Sequence, residues 1–114
     1  PSSDEGFLAN YVLALVNDGK LLQAEEFVLD RFKTSKSPNG YLVAREPYTF
    51  CNLMKGFAQK GNTKKLDEWI EILQEEVPHR NDRYRALING FKILSFIRSG
   101  QVSNALAFFR DNVP

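Results

Sequence analysis

One cysteine and one histidine are the whole supply of thiol and imidazole in this chain of 114 residues. A lone cysteine has no partner for an internal disulfide, which fits a reducing compartment or mere indifference to redox state. His79 stands in a polar turn after Pro78, and a metal site needs several ligands at set spacing, so no metal or other cofactor is implied. No run of eighteen apolar residues occurs, so no membrane span is expected. No stretch alternates apolar and polar residues in the period-two pattern of a strand. The net charge is only +1, which excludes a partner held by bulk charge alone. The opening PSSDEG has neither an initiator Met nor a targeting stretch; the chain is expected to be an excerpt from a longer protein.

What is present points to helices. A hydrophobic content of 43%, with nine Phe, can bury a modest core in a single domain. The stretch QKGNTKKLDEWI, Gln59 to Ile70, places a glycine before a hydroxyl and two lysines, as a phosphate cradle would. A phosphate loop, however, needs two glycines and a Lys-Ser/Thr at fixed spacing after a strand. The chain instead repeats the stretch, as NDGKLLQAEEFV around Gly19 and as RSGQVSNALAFF around Gly100. The glycines lie 42 and 39 residues apart, a period that belongs to helical arrays. Gly61 is therefore a helix-ending turn, and Lys64 and Lys65 read as solvated first-turn residues.

Helical spacing predicts six helices. The first covers about Asp4–Asp18, with Leu8, Tyr11, Val12 and Leu15 on one face. The second covers about Leu21–Phe32 and buries Ala24, Phe27 and Val28. Residues 33–46, rich in Ser, Pro, Asn and Gly, form a long loop. A third helix starts near Pro47, proline being tolerated in a first turn; it carries Phe50, Leu53, Met54 and Phe57. After Gly61, with Asn62 or Thr63 as cap, Leu66, Trp69, Ile70 and Leu73 form the fourth stripe. The fifth, about Asp82–Ser99, carries Leu87, Ile88, Phe91 and Leu94 and is longer than its counterparts. The last, about Val102–Asn112, carries Val102, Ala105, Leu106 and Phe109. The expected fold is all-α, an α-solenoid of three helix-turn-helix repeats over residues 1–46, 47–81 and 82–114. Each pair has a stripe on both helices and cannot bury both alone, so the pairs must stack.

The middle unit, Glu46 to Asp82, resembles a pentatricopeptide repeat. The resemblance rests on Tyr48 and Phe50 opening its first helix, Leu53-Met54, Gly56-Phe57, Lys60-Gly61 and the closing Pro78. Leu87-Ile88-Asn89-Gly90-Phe91 and Gly100 to Ala105 extend it to the third unit, and Tyr11 to Val28 to the first. A tetratricopeptide repeat would favour Trp and Tyr in the first helix of a pair, whereas Trp69 stands in a second helix. The irregular spacing is similar to the animal and fungal organellar members. The resemblance implies single-stranded RNA along a concave face of first helices, mitochondrial location, and a role in mRNA stability, processing or translation.

Carried over by position, the base-reading pair of the middle unit is Cys51 with Arg80 or Asn81. The first unit offers Ala9 with Glu46, and the third offers Arg85. Ala has no side-chain donor or acceptor and Cys is a poor one, so backbone contact is the better expectation. Helical stepping sets Tyr48, Cys51, Lys55 and Ala58 on the inner face, with Arg85, Asn89 and Lys92 beside them. Tyr48 would stack on a base while the three cations follow phosphates. Base-rich residues 31–65 and 83–114 alternate with acid-rich residues 1–30 and 66–82, so basic surfaces are local. Cys51 among aromatics reads as a buried or half-buried thiol rather than a nucleophile. Glu25-Glu26 and Glu75-Glu76 read as surface charge, because adjacent helical residues point apart. Nothing has the pattern of an active site, and no small-molecule substrate is implied; an enzyme is not expected. The competing reading is a protein-binding module that holds a partner helix or peptide on the same face.

Overall fold

The computed structural model describes residues 3–34, 47–76 and 82–112, and every regular element in them is an α-helix. In chain order these are α1 (Ser3–Asn17), α2 (Leu21–Thr34), α3 (Pro47–Gln59), α4 (Thr63–Glu76), α5 (Asp82–Arg98) and α6 (Val102–Asn112). The second helix runs past the expected Phe32 because Lys33 and Thr34 break nothing; the Ser-Pro and Asn-Gly signals come later. The rest of the expected loop, 35–46, lies outside the described residues.

Three turns set the frame. Gly19, Gly61 and Gly100 have φ of 77°, 73° and 79°, a left-handed conformation that a β-carbon would strain. Each turn closes with the same two hydrogen bonds. The glycine N–H donates to a carbonyl three residues back, and the next N–H donates to one five back, the Schellman pattern. In the middle turn these are Gly61 to Ala58 at 3.0 Å and Asn62 to Phe57 at 2.9 Å. Asn62 then caps α4 by accepting the Lys65 N–H at 3.2 Å. The chain is thus all-α and helical-repeat-like, with hairpins α1/α2, α3/α4 and α5/α6 joined by one type of turn.

Counting from these glycines gives a common register. The fifth residue after each is Ala24, Leu66 and Ala105, all buried. The central helix α3 touches α1, α2, α4 and α5. Its Phe50, Leu53, Met54 and Phe57 meet Val12, Val28, Leu66 and Trp69 in one core. Five residues before the glycines stand Ala14, Gly56 and Ser95. A β-carbon on Gly56 would lie 2.7 Å from Leu21 Cδ1 and 2.9 Å from Val16 Cγ1, so glycine lets α3 close on the preceding hairpin.

Two expectations about charge change at this junction. Glu25 is not surface charge: it is 8% exposed, and Trp69 Nε1–H donates to its Oε2 at 2.9 Å. Lys65 is not simply solvated either, since its Nζ lies 3.3 Å from Glu25 Oε1 and 3.6 Å from Glu68 Oε2. A carboxylate in a nearly dry site persists when donors satisfy it, and these two do. Glu26 and Lys64 are exposed as expected. On α6 the predicted stripe is only partly used: Ala105 is buried, while Val102, Leu106 and Phe109 are exposed. The next junction is looser. Ser95 Oγ–H donates to Asp67 Oδ1 across it, and a groove of about 590 Å³ remains between α4, α5 and α6.

Candidate nucleic-acid interface

The face of α3 that no helix among the described residues covers carries Tyr48, Lys55 and Gln59, all exposed. Tyr48 is 67% exposed in the first turn, and Lys55 follows seven residues on, about 20° round the helix at 3.6 residues per turn. Asn52 borders the same stripe, and its Nδ2–H donates to the Ala9 carbonyl at 2.9 Å, tying α3 to α1. A ring, a cation and an amide thus share one open strip.

Cys51 and Ala58 do not share it. Both are buried, Cys51 at 7% and Ala58 at 2% exposure. Steps of three residues fall about 60° behind the stripe and carry a side chain into the core. Burial pushes the Cys51 thiol above its ordinary pKa, partly offset by the Lys55 charge, so it stays protonated near neutrality. Ala9 is buried too, and its family-derived partner Glu46 lies outside the described residues, as do Arg80, Asn81 and His79.

On α5, Arg85 is exposed and Asn89 half-buried. Lys92 turns toward the second helices: its Nζ lies 5.5 Å from the centroid of the Phe108 ring, in the groove that Asp67, Glu71 and Ser95 also line. The turn register gives the reason. Lys92 precedes Gly100 by as many residues as Leu53 precedes Gly61, and Leu53 is wholly buried. The register mates of Tyr48 and Lys55 on α5 are Leu87 and Leu94, half-buried against the core. Lys55 and Lys92 therefore do not form a row.

The burial of the Glu25 carboxylate runs against its reading as surface charge. Its one signal was register: Glu25 stands six residues after its glycine, at the position of Asp67, and both bond to the following hairpin. Among the described residues, no three His, Cys, Asp or Glu side chains group as metal ligands, and no helix is long and apolar enough to cross a membrane. Comparison with protein-family models, curated proteins and solved structures gives no match.

Proposed function

We propose that the chain is part of a pentatricopeptide-type α-solenoid that contacts single-stranded RNA, in a mitochondrial protein acting on mRNA stability, processing or translation. The observation that carries this reading is the open strip of α3, where exposed Tyr48 precedes exposed Lys55 by two turns. A phenol ring on an open helix face offers a stacking surface for any base, and a lysine beyond it suits a phosphate. Three hairpins with one turn geometry support the array; the sequence resemblance supplies the biological role. The contact is with backbone and base faces rather than base edges, because Cys51 and Ala9 are buried.

Titration of single-stranded RNA at several salt concentrations tests the reading. Tyr48→Ala should cost about 1–3 kcal/mol of affinity, the worth of one stacked base. Lys55→Gln should flatten the log-log salt dependence by about 0.7, one released counterion on a single strand. Lys64→Gln and Lys92→Gln should leave the slope unchanged. A chain that binds no RNA at low salt overturns the proposal. A second reading, protein docking, is favoured by apolar Leu13, 40% exposed, which shares the register of Lys55 on the neighbouring helix α1. Binding to a helical peptide with no RNA binding would establish that reading instead.

A further inference from the structure

The junction between the first two hairpins is filled, and the register names what fills it. Six residues after its glycine, Glu25 of α2 turns a carboxylate toward the following hairpin. Lys65 and Trp69, four and eight residues after the next glycine, answer it with an ammonium at 3.3 Å and an indole N–H at 2.9 Å. The hydrogen bond and charge of Glu25 raise the Lys65 pKa, as expected of a cation held by its partner. At this junction one carboxylate thus receives a flat N–H donor and a positive charge from the same helix.

The second junction keeps the carboxylate and lacks both answers. Asp67 stands at the position of Glu25, while Phe108 and Asn104 stand at those of Trp69 and Lys65. A phenyl ring has no N–H to donate, and the Asn104 amide donates to Gln101 Oε1 at 2.7 Å instead. Asp67 accepts the Ser95 hydroxyl, but among the described residues no cation is in ion-pair contact with it or with Glu71, one turn on. Both acids are exposed along the groove of about 590 Å³, whose apolar side is formed by Ile70, Phe96 and Phe108. Lys92 enters it at the Phe108 ring rather than at the acids. The acidic row continues along α4, where Glu68, Glu71 and Glu75 line the next depression. Both walls of the groove belong to hairpins already stacked on one another, so neighbouring repeats of a longer array would leave it open.

We infer that this groove binds an arginine from a basic segment of a partner protein, with the guanidinium on Asp67 and Glu71 and the alkyl stem against Phe96 and Phe108. A guanidinium supplies planar N–H donors and positive charge in one group, the two things that Trp69 and Lys65 supply separately to Glu25. It also stacks on aromatic rings, which the groove provides. Further basic residues of the segment follow the acids of α4. The groove shares no residue with the open strip of α3, so the inference is independent of RNA.

Fluorescence anisotropy at low ionic strength tests it, with circular dichroism as the check on folding. The probe is a short fluorescein-labelled peptide of alternating arginine and glycine. The same peptide with citrulline for arginine keeps the shape without the charge and should not bind. Asp67→Asn with Glu71→Gln should weaken the arginine peptide by about tenfold or more, the worth of one hydrogen bond to a charged group. Asparagine still accepts from Ser95, so the junction keeps that bond. Glu26→Gln, at an exposed acid outside the groove, should leave the affinity unchanged, and Lys92→Met, which removes the groove's own cation, should tighten it. Four results overturn the inference: an arginine peptide that binds no better than its citrulline counterpart, equal losses in the groove and Glu26 variants, weaker binding by Lys92→Met, or N-acetylarginine amide binding as tightly as the peptide, which would mark a small-molecule site. A chain that binds the peptide but no RNA would remove the proposed RNA contact alone and leave this inference standing.

Discussion

The Glu25–Trp69 hydrogen bond allows a quantitative test of how the first two hairpins are held together. Trp69→Phe keeps a ring in the core but removes the N–H that reaches Glu25 Oε2 at 2.9 Å. Among the described residues the carboxylate, 8% exposed, then keeps the Lys65 ammonium, itself in contact with water. A hydrogen bond to a charged group contributes about 1.5–3 kcal/mol, and this substitution should cost at least that much. Glu25→Ala strands the indole N–H, with a desolvation cost of about 1–3 kcal/mol. The accompanying loss of the partly exposed Lys65 pair adds less than about 1 kcal/mol. If the two side chains act through one bond, the double variant should lose less than the sum of the singles, with a coupling of about 1–2 kcal/mol in a double-mutant cycle. Urea unfolding followed by far-ultraviolet circular dichroism measures all four proteins, since removing the single Trp also removes the fluorophore. Glu26→Ala, on the exposed neighbour, should stay within about 0.5 kcal/mol of the parent. A coupling below about 0.5 kcal/mol, or a Glu25→Ala cost equal to that of Glu26→Ala, would refute the assignment.

Three other outcomes follow from the same geometry. Gly61→Val should destabilise the chain by at least about 1 kcal/mol through its φ of 73°, whereas Gly90→Ala, with open space around it, should stabilise by about 0.5–1 kcal/mol; equal unfolding midpoints for the two would contradict this. Cys51 should react with iodoacetamide far more slowly in the native chain than in urea, and fast native labelling near neutral pH would show the thiol to be accessible. The hydrogen bond and charge of Glu25 raise the Lys65 pKa on folding; this stabilisation is complete below the ordinary lysine value of about 10.4 and is lost as pH climbs through the raised one. Lys65→Met should therefore reduce alkaline loss of stability, and an unchanged alkaline profile would count against the ion pair.

The sequence disclosed the fold where one residue type answers one backbone demand. Gly19, Gly61 and Gly100 could be assigned positive φ because little else tolerates it, and helix ends followed from them to within a few residues. The open face was harder to read. Three-residue steps from Tyr48 led to Cys51, which the actual helix turns inward. Aligning Gly90-Phe91 with Gly56-Phe57 shifts the third hairpin by five residues from the turn register, about 140° round a helix, and that shift sent Lys92 to the wrong side. Glu25 was illegible for another reason: its donor stands 44 residues away, and no local pattern announces a partner at that distance.

The unequal junctions carry a consequence for the order in which the chain comes apart. Repeat arrays gain stability from each unit and from each contact between neighbours, so a weak contact divides the array into blocks. The first two hairpins share a tryptophan, a carboxylate and a glycine-mediated approach, whereas the third meets them across an open groove, and α6 buries only Ala105 among its described residues. Amide protons of α6 should therefore exchange with solvent through small local openings, while those of α3 and α4 wait for the whole molecule to unfold.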